Sequence, residues 1–486
     1  MTLALKDPSL LRHQAYVNGA WVDAVNRASF PVTNPVNGAI LANCPDFLEA
    51  ETKAAVDAAQ EAFGPWAAKT AKERAVLLRK WFDLMMANQE DLAQIMTAEQ
   101  GKPLAESRGE DAYGASFIEW FAEEGKRLYG DIIPQTQSGR RILVLKQPIG
   151  VVAAITPWNF PNAMITRKCG PAIAAGCPIV IKPAAETPLS ALALAVLAER
   201  AGIPKGVFNI VTSKHASRVG KVLTQDPIVK KFSFTGSTEI GKLLMAQCST
   251  TVKKVSLELG GNAPFIVFDD ADLDKAVAGA LLSKYRNMGQ TCVCANRFYI
   301  QDRVYDAFAA KLAKAVAEMK VGDGADVGVV QGPLINMEAV EKVERLLADA
   351  TAKGAKITTG GKRHALGSTF FEPTVVTNVS TAMTIAREEI FGPVATLFRF
   401  KDEAEAIRLA NDTEYGLAAY FYARDLGRVW RVAEGLDYGI VGINEGIIST
   451  EVAPFGGWKE SGIGREGSRY GIDDYVEMKY LAMGGL

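Results

Sequence analysis

IGVVAAITPWNFP (residues 149–161), followed by MITRKCGPAIAAG (164–176) and PIVIKP (178–183), is the stretch that decides the fold. The two outer pieces carry short apolar runs rich in the β-branched residues that suit strands. Between them a Pro-bounded turn leads into a segment with helical spacing. The alternation continues through the helical SALALAVLAERAG (190–202), the extended GVFNIV (206–211) and a polar, helix-like stretch. KKFSFTGS (230–237) then opens the helix TEIGKLLMAQ (238–247). Fully apolar strands interleaved with helices predict a parallel sheet covered on both faces. This is doubly wound α/β architecture, which takes dinucleotides beyond the carboxyl ends of its strands.

The pattern changes on either side of this core. Upstream, EAETKAAVDAAQEAFGPW (49–66) and the run at 72–100 place apolar residues three and four apart, with Gly101 and Pro103 as a stop. RRILVLKQPIGVVAAI (140–155) then reads as extended chain. Downstream, a second alternation holds APFIVF (263–268), DDADLDKAVAGALLSKYRN (269–287), RFYIQ (297–301) and the long helix YDAFAAKLAKAVAEMK (305–320). The acidic DDADLD suits a helix start, because carboxylates favour the positive end of the helix dipole. Later come GIVGIN (439–444) and a glycine-rich tail, PFGGWKESGIGREGSRYG (454–471). No repeat of fixed period and no low-complexity linker interrupts the chain. Two α/β domains with short connections are expected.

Bulk properties narrow the function. The 486 residues are 48% hydrophobic and 22% charged, enough apolar material for large cores. Lys plus Arg number 54 against 55 for Asp plus Glu, so nothing favours nucleic acid or an anionic membrane as partner. The start, MTLALKDPSLLRHQAYVNG, lacks the pattern of a secretory signal, and no apolar run approaches the ~20 residues that span a bilayer. Six cysteines (44, 169, 177, 248, 292, 294) are too sparse for a disulfide scaffold. A cytoplasmic protein acting on a small molecule is expected.

Three local features carry chemistry. NMGQTCVCANR (287–297) holds Cys292 and Cys294 after a glycine turn. A zinc site is a poor reading, since four ligands are wanted and the histidines, at 13, 215 and 364, lie far away in sequence. On spacing alone, two small buried hydrophobes are the commoner meaning of such thiols. In LELGG (257–261), Glu258 sits between leucines, as a shielded general base would, or a solvent-facing strand end. In PWNFP, the Asn159 amide suits an oxyanion, or simply a turn.

Their company decides between these meanings. PWNFP, KPAAETP (182–188), FTGS (234–237), LELGGNAP (257–264), GQTC (289–292), EEIFGP (388–393) and PFGGWKESGIGRE (454–466) together resemble the aldehyde dehydrogenase superfamily, in its order and spacing and over essentially the whole chain. The resemblance implies two doubly wound α/β domains, nucleotide-binding (1–128 and 149–257) and catalytic (258–467), plus a small β oligomerisation arm (129–148 and 468–486) that would build a homodimer or homotetramer. It selects Cys292 as nucleophile, Asn159 as oxyanion donor and Glu258 as the base that activates water, with Glu466 as a possible proton relay. Retention of Glu258 argues against the branch that passes its thioester to coenzyme A. Retention of all three argues against a non-catalytic member.

For a nicotinamide cofactor the resemblance implies Trp158, Lys182, Gly236, Ser237, Glu389 and Phe391. The usual G-x-G-x-x-G fingerprint is absent. Many NAD-preferring relatives carry a glutamate three residues after the lysine; here that position is Ala185, so NADP is the expected preference, with NAD also possible. Within the family the nearest resemblance is to succinate-semialdehyde dehydrogenases, which maps a substrate-carboxylate clamp onto Arg167, Arg286 and Ser449. Arginine presents a planar fork matched to a carboxylate. Glutarate semialdehyde, one methylene longer, and other aldehydes of the same fold remain alternatives. The CVC spacing also raises a disulfide between Cys292 and Cys294 as a redox switch.

Overall fold

The structure is a computed structural model that describes residues 3–485. Its centre is an eight-stranded sheet whose five middle strands run parallel: Phe208–Ile210, Ile179–Lys182, Val151–Ile155, Val229–Thr235 and Lys254–Glu258. Antiparallel strands close both edges, Ala15–Val17 with Ala20–Val22 on one side and Gly462–Ile463 on the other. The buried middle strands explain the uninterrupted apolar runs, because helices cover both faces. Ala163–Ala175 and Pro188–Ala201 lie on one of the two cores that sandwich this sheet.

A second sheet of seven strands contains Ala263–Val267, Ala295–Gln301, Val394–Phe400, Thr374–Thr377, Ala418–Tyr422 and Ile440–Ile443, all parallel. Lys356–Thr359 joins its edge antiparallel. Two apolar clusters flank this sheet in turn, one built on the Met337–Ala352 helix and one on Leu273–Tyr285 and Tyr305–Ala317. Both α/β units expected from the alternation are therefore present.

The extended run 140–155 divides between two sheets. Arg140–Pro148 pairs with Val476–Gly484 and Asp131–Ile133 in a separate three-stranded antiparallel sheet, while Val151–Ile155 enters the first core. Gly462–Ile463, inside the stretch 258–467 expected as the catalytic unit, pairs with Leu257 and Glu258 at the edge of the first sheet. No helix among the described residues is long and apolar enough to cross a membrane.

Candidate active site

The site gathers at the carboxyl ends of the first sheet. Val151–Ile155 ends in the 156–162 turn, and Asn159 there is buried. Two donors pin its backbone carbonyl, Lys102 Nζ at 2.6 Å and Asn287 Nδ2 at 3.0 Å. Its side-chain Nδ2 donates to the Gln290 carbonyl at 3.0 Å, leaving its second N–H for another acceptor. Gln290 lies two residues before Cys292, so the amide is fixed relative to the nucleophile.

The backbone ahead of Cys292 is unusual. Asn287, Met288 and Gly289 all have positive φ, at 50°, 55° and 73°. Two consecutive non-glycine residues in that region are strained, and surrounding bonds hold them there. Glu106 Oε2 accepts from Asn287 N at 2.7 Å, and Gln100 Nε2 donates to Asn287 Oδ1 at 2.9 Å. Opposite, a side chain at Gly261 would place its Cβ 2.4 Å from the Cys292 carbonyl oxygen. Gly261→Ala is therefore expected to push the nucleophile loop aside and lower kcat by about 10²-fold, the usual penalty of displacement near 1 Å. Steady-state rates beside a circular-dichroism check of folding measure this, and a rate within a few-fold of wild type would show the loop yielding harmlessly.

Glu258 closes Lys254–Glu258 and is buried, and neither carboxylate oxygen has a hydrogen-bond partner among the described residues. Burial, reinforced by repulsion from Glu466, pushes its pKa up to about 8, although Arg167 and Lys168 oppose the shift. A carboxylate left bare and dry in this way is poised to take a proton. Burial likewise raises the Cys292 thiol to about 12, with Arg167 pulling the other way.

One cleft of about 290 Å³ brings together Trp158, Asn159, Gly236, Ser237, Cys292, Glu389 and Phe391, seven of the residues expected from sequence. Ser237 caps the Thr238–Cys248 helix by accepting from Ile240 N, so the positive helix end faces the cleft. A Cβ on Gly236 would lie 2.4 Å from the Phe234 ring. Trp158 and Phe391 meet edge to face at 5.6 Å, and Phe391 itself holds a φ of 54°. Glu389 accepts from Gly261 N at 3.0 Å, and burial raises its carboxyl to about 7.

Other expected residues lie around this cleft rather than in its lining. Lys182 ends the strand beside Val151–Ile155; it is buried, its pKa lowered by burial to about 8, and it donates only to the Pro183 carbonyl at 3.1 Å. Ala185 borders a separate cavity of about 250 Å³ shared with Glu186 and Lys214. Arg286 stacks over Phe160 at 5.2 Å and has no ion-pair partner among the described residues. Arg167 is buried and paired through Nε with Glu466 at 2.5 Å, over Phe455 at 4.0 Å, while its Nη2 has no partner. Ser449 is half-buried next to Ile448, which packs on the same cluster as Cys292.

Glu466 is buried between Arg167 and Lys168, and although burial opposes it, those two cations hold its carboxyl below the ordinary range. Cys294 is buried, with its Sγ donating to the Lys284 carbonyl at 3.5 Å, and both thiols are free. Lys102, Asn287, Lys168 and Tyr113 escaped the sequence reading. Asn287 lies inside the quoted NMGQTC stretch and carried the only available signal; Lys102 sits in the short link between the Gln89–Gln100 and Leu104–Glu124 helices, and Lys168 and Tyr113 sit in ordinary-looking helices.

Comparison with known proteins fits this geometry. The profile described as "Aldehyde dehydrogenase family" matches residues 21–481. The chain belongs to the aldehyde dehydrogenase family. It is 65% identical to the glutarate-semialdehyde dehydrogenase of Pseudomonas aeruginosa, over 100% of both chains. It is 64% identical to the succinate-semialdehyde dehydrogenase [NADP(+)] GabD of Escherichia coli, over 99% of this chain and 100% of that one. The crystal structure of succinate-semialdehyde dehydrogenase from Burkholderia pseudomallei superposes with a TM-score of 0.98 at 65% identity, covering 99% of this chain and 100% of that one. The aldehyde dehydrogenase fold read from seven motifs is thus the fold of the chain, and the departures noted above concern single residues within it.

Proposed function

We propose that this aldehyde dehydrogenase oxidises succinate semialdehyde to succinate with NADP, through a thioester on Cys292. The observation that carries the substrate is Arg286: a guanidinium stacked on the residue next to Asn159, with no salt-bridge partner among the described residues. An unpaired charge in such a place is costly unless a ligand answers it. Arg167 Nη2 and Ser449 extend the same carboxylate-binding surface.

The chain's own groups account for each proton. Glu258, the unpartnered carboxylate, takes the thiol proton of Cys292, and the thiolate sulfur bonds to the aldehyde carbon. The resulting oxyanion is stabilised by the free Asn159 N–H and the Cys292 backbone N–H. When bound in the cleft, NADP supplies the acceptor for the hydride that leaves this carbon. The product on the enzyme is a thioester. Glu258 gives up the first proton to solvent, then removes one from water; hydroxide adds to the thioester carbon and displaces the Cys292 thiolate, which takes that second proton back as the acid departs. Glu466 keeps Arg167 and Lys168 in place as their counter-ion.

The cofactor's contacts would be the helix start at Gly236 and Ser237 for the diphosphate, Lys182 for the adenosine ribose, Glu389 and Phe391 for the nicotinamide ribose, and Trp158 beside it. Ala185 leaves no carboxylate at that position, and Lys214 shares its cavity, both favourable to a 2′-phosphate. The 1–128 and 149–257 segments, with the 462–463 strand, would form the nucleotide-binding unit, and the remainder of 258–467 the catalytic one. The 129–148 and 468–486 arm would assemble a homo-oligomer, since Ile132, Met478 and Tyr480 lie exposed on its sheet. Six free thiols suit a cytoplasmic setting.

Rates at 340 nm test this reading with succinate semialdehyde, glutarate semialdehyde and butanal, each with NADP and NAD. We expect kcat/KM to favour the carboxylate substrates over butanal by about 10²-fold or more, and NADP over NAD. Equal turnover of butanal would remove the clamp. Glutarate semialdehyde is a second reading, favoured by the 65% identical relative of that name. A methylene is worth only about 1–3 kcal/mol, and the same assay ranks the two.

A further inference from the structure

Tyr113, on the Leu104–Glu124 helix, has a buried hydroxyl with no hydrogen-bond partner among the described residues. Buried hydroxyls are normally paired, so an orphan calls for a partner the protein itself lacks. Its position points to one. The ring meets Phe117 edge to face at 4.9 Å and packs on the small cluster of Phe160, Ala163 and Met164. Arg286 stacks on that same Phe160, and Arg167 touches Met164 Sδ through Nη1 at 3.7 Å and lies over Phe117 at 5.8 Å. Tyr113 therefore shares one aromatic neighbour with each arginine.

The helix cannot drift away from this spot. Gly114 packs directly on the helix that carries Arg167, where a Cβ would already lie 3.3 Å from Ala163 N. Burial raises the phenol's pKa while Arg167 and Arg286 both pull it down, so both cations act on the one hydroxyl. The phenol stays neutral and able to donate.

We propose that the Tyr113 hydroxyl is a further donor to the distal carboxylate of the aldehyde, joining Arg167, Arg286 and Ser449. This rests on the carboxylate-aldehyde reading above and adds to it a buried phenol. The arginines accept any anion; a fixed phenol also selects where the carboxylate sits relative to Cys292.

Tyr113→Phe removes one oxygen and keeps the ring. The measurement is the ratio of kcat/KM for succinate semialdehyde to kcat/KM for butanal, in wild type and variant. The ratio is expected to fall about 10- to 100-fold, the worth of a hydrogen bond to a charged group, with the loss mainly in KM. A large wild-type ratio that survives Tyr113→Phe overturns the role of Tyr113 and leaves the carboxylate reading intact. A wild-type ratio near one overturns both. Competitive inhibition by succinate against butanal gives a second readout, which Tyr113→Phe should weaken by a similar factor and which a merely structural tyrosine would leave alone.

Discussion

Glu258→Gln is expected to slow both halves of the reaction. The amide fills the same space but takes no proton, and two neighbouring carboxylates are already engaged: Glu466 is tied to Arg167 and Lys168, and Glu389 to Gly261 N–H. Steady-state kcat should drop by roughly 10³-fold, within the range for loss of a positioned base. Acylation should slow as well, because the same carboxylate takes the thiol proton of Cys292. The pre-steady-state burst of reduced cofactor should therefore shrink together with the steady-state rate. The pH profile supplies the sign. A base works when ionised, so wild-type kcat should climb as pH rises through about 8, where burial has moved Glu258, and level off above. The variant should lose that limb. A variant turning over within a few-fold of wild type, with the limb intact, would take Glu258 out of the reaction.

Arg286→Ala should cost nearly as much, but only for one class of substrate. Removing one partner of a desolvated charge pair typically costs about 2–5 kcal/mol, which places the expected fall in kcat/KM for succinate semialdehyde near 10²–10³-fold. Butanal has no carboxylate to lose, so its kcat/KM should change by less than a few-fold. Phe160 would lose its stacked guanidinium, yet Lys102 still covers that ring at 4.0 Å, which keeps the wall of the site in place. Equal losses on both aldehydes would mean that Arg286 shapes the loop before Cys292 and reads no carboxylate.

Much of this was legible in the chain. The apolar strands at 151–155, 179–182 and 229–235 could only be buried on both faces, which fixed the parallel sheet. The motifs fell in family order, and seven of their residues meet in one cleft. What stayed hidden depends on distant pairing. For Glu466, expected as a proton relay, nothing local in GRE announces that Arg167 and Lys168, almost three hundred positions earlier, enclose it. Tyr113 looked like one more aromatic on an amphipathic helix; its significance lies in a hydroxyl that finds no partner, a property only coordinates reveal. The run 140–155 hid its division for the same reason, since strand propensity does not say which sheet a strand will join.

The last residues of the chain finish several things at once. Gly462–Ile463 supplies the edge of the first sheet, Glu466 acts electrostatically on Glu258, and Val476–Gly484 pairs along the whole of Arg140–Pro148. During synthesis, the Arg140–Pro148 strand must therefore wait for a partner more than three hundred residues behind it, roughly 20–60 s at ordinary ribosomal rates. Through that interval Glu258 lacks its neighbouring acid, and the substrate loop around Ser449 does not yet exist. The nascent chain thus carries Cys292 for about 10–40 s before the Val476–Gly484 strand is made, a thiol without its finished surroundings.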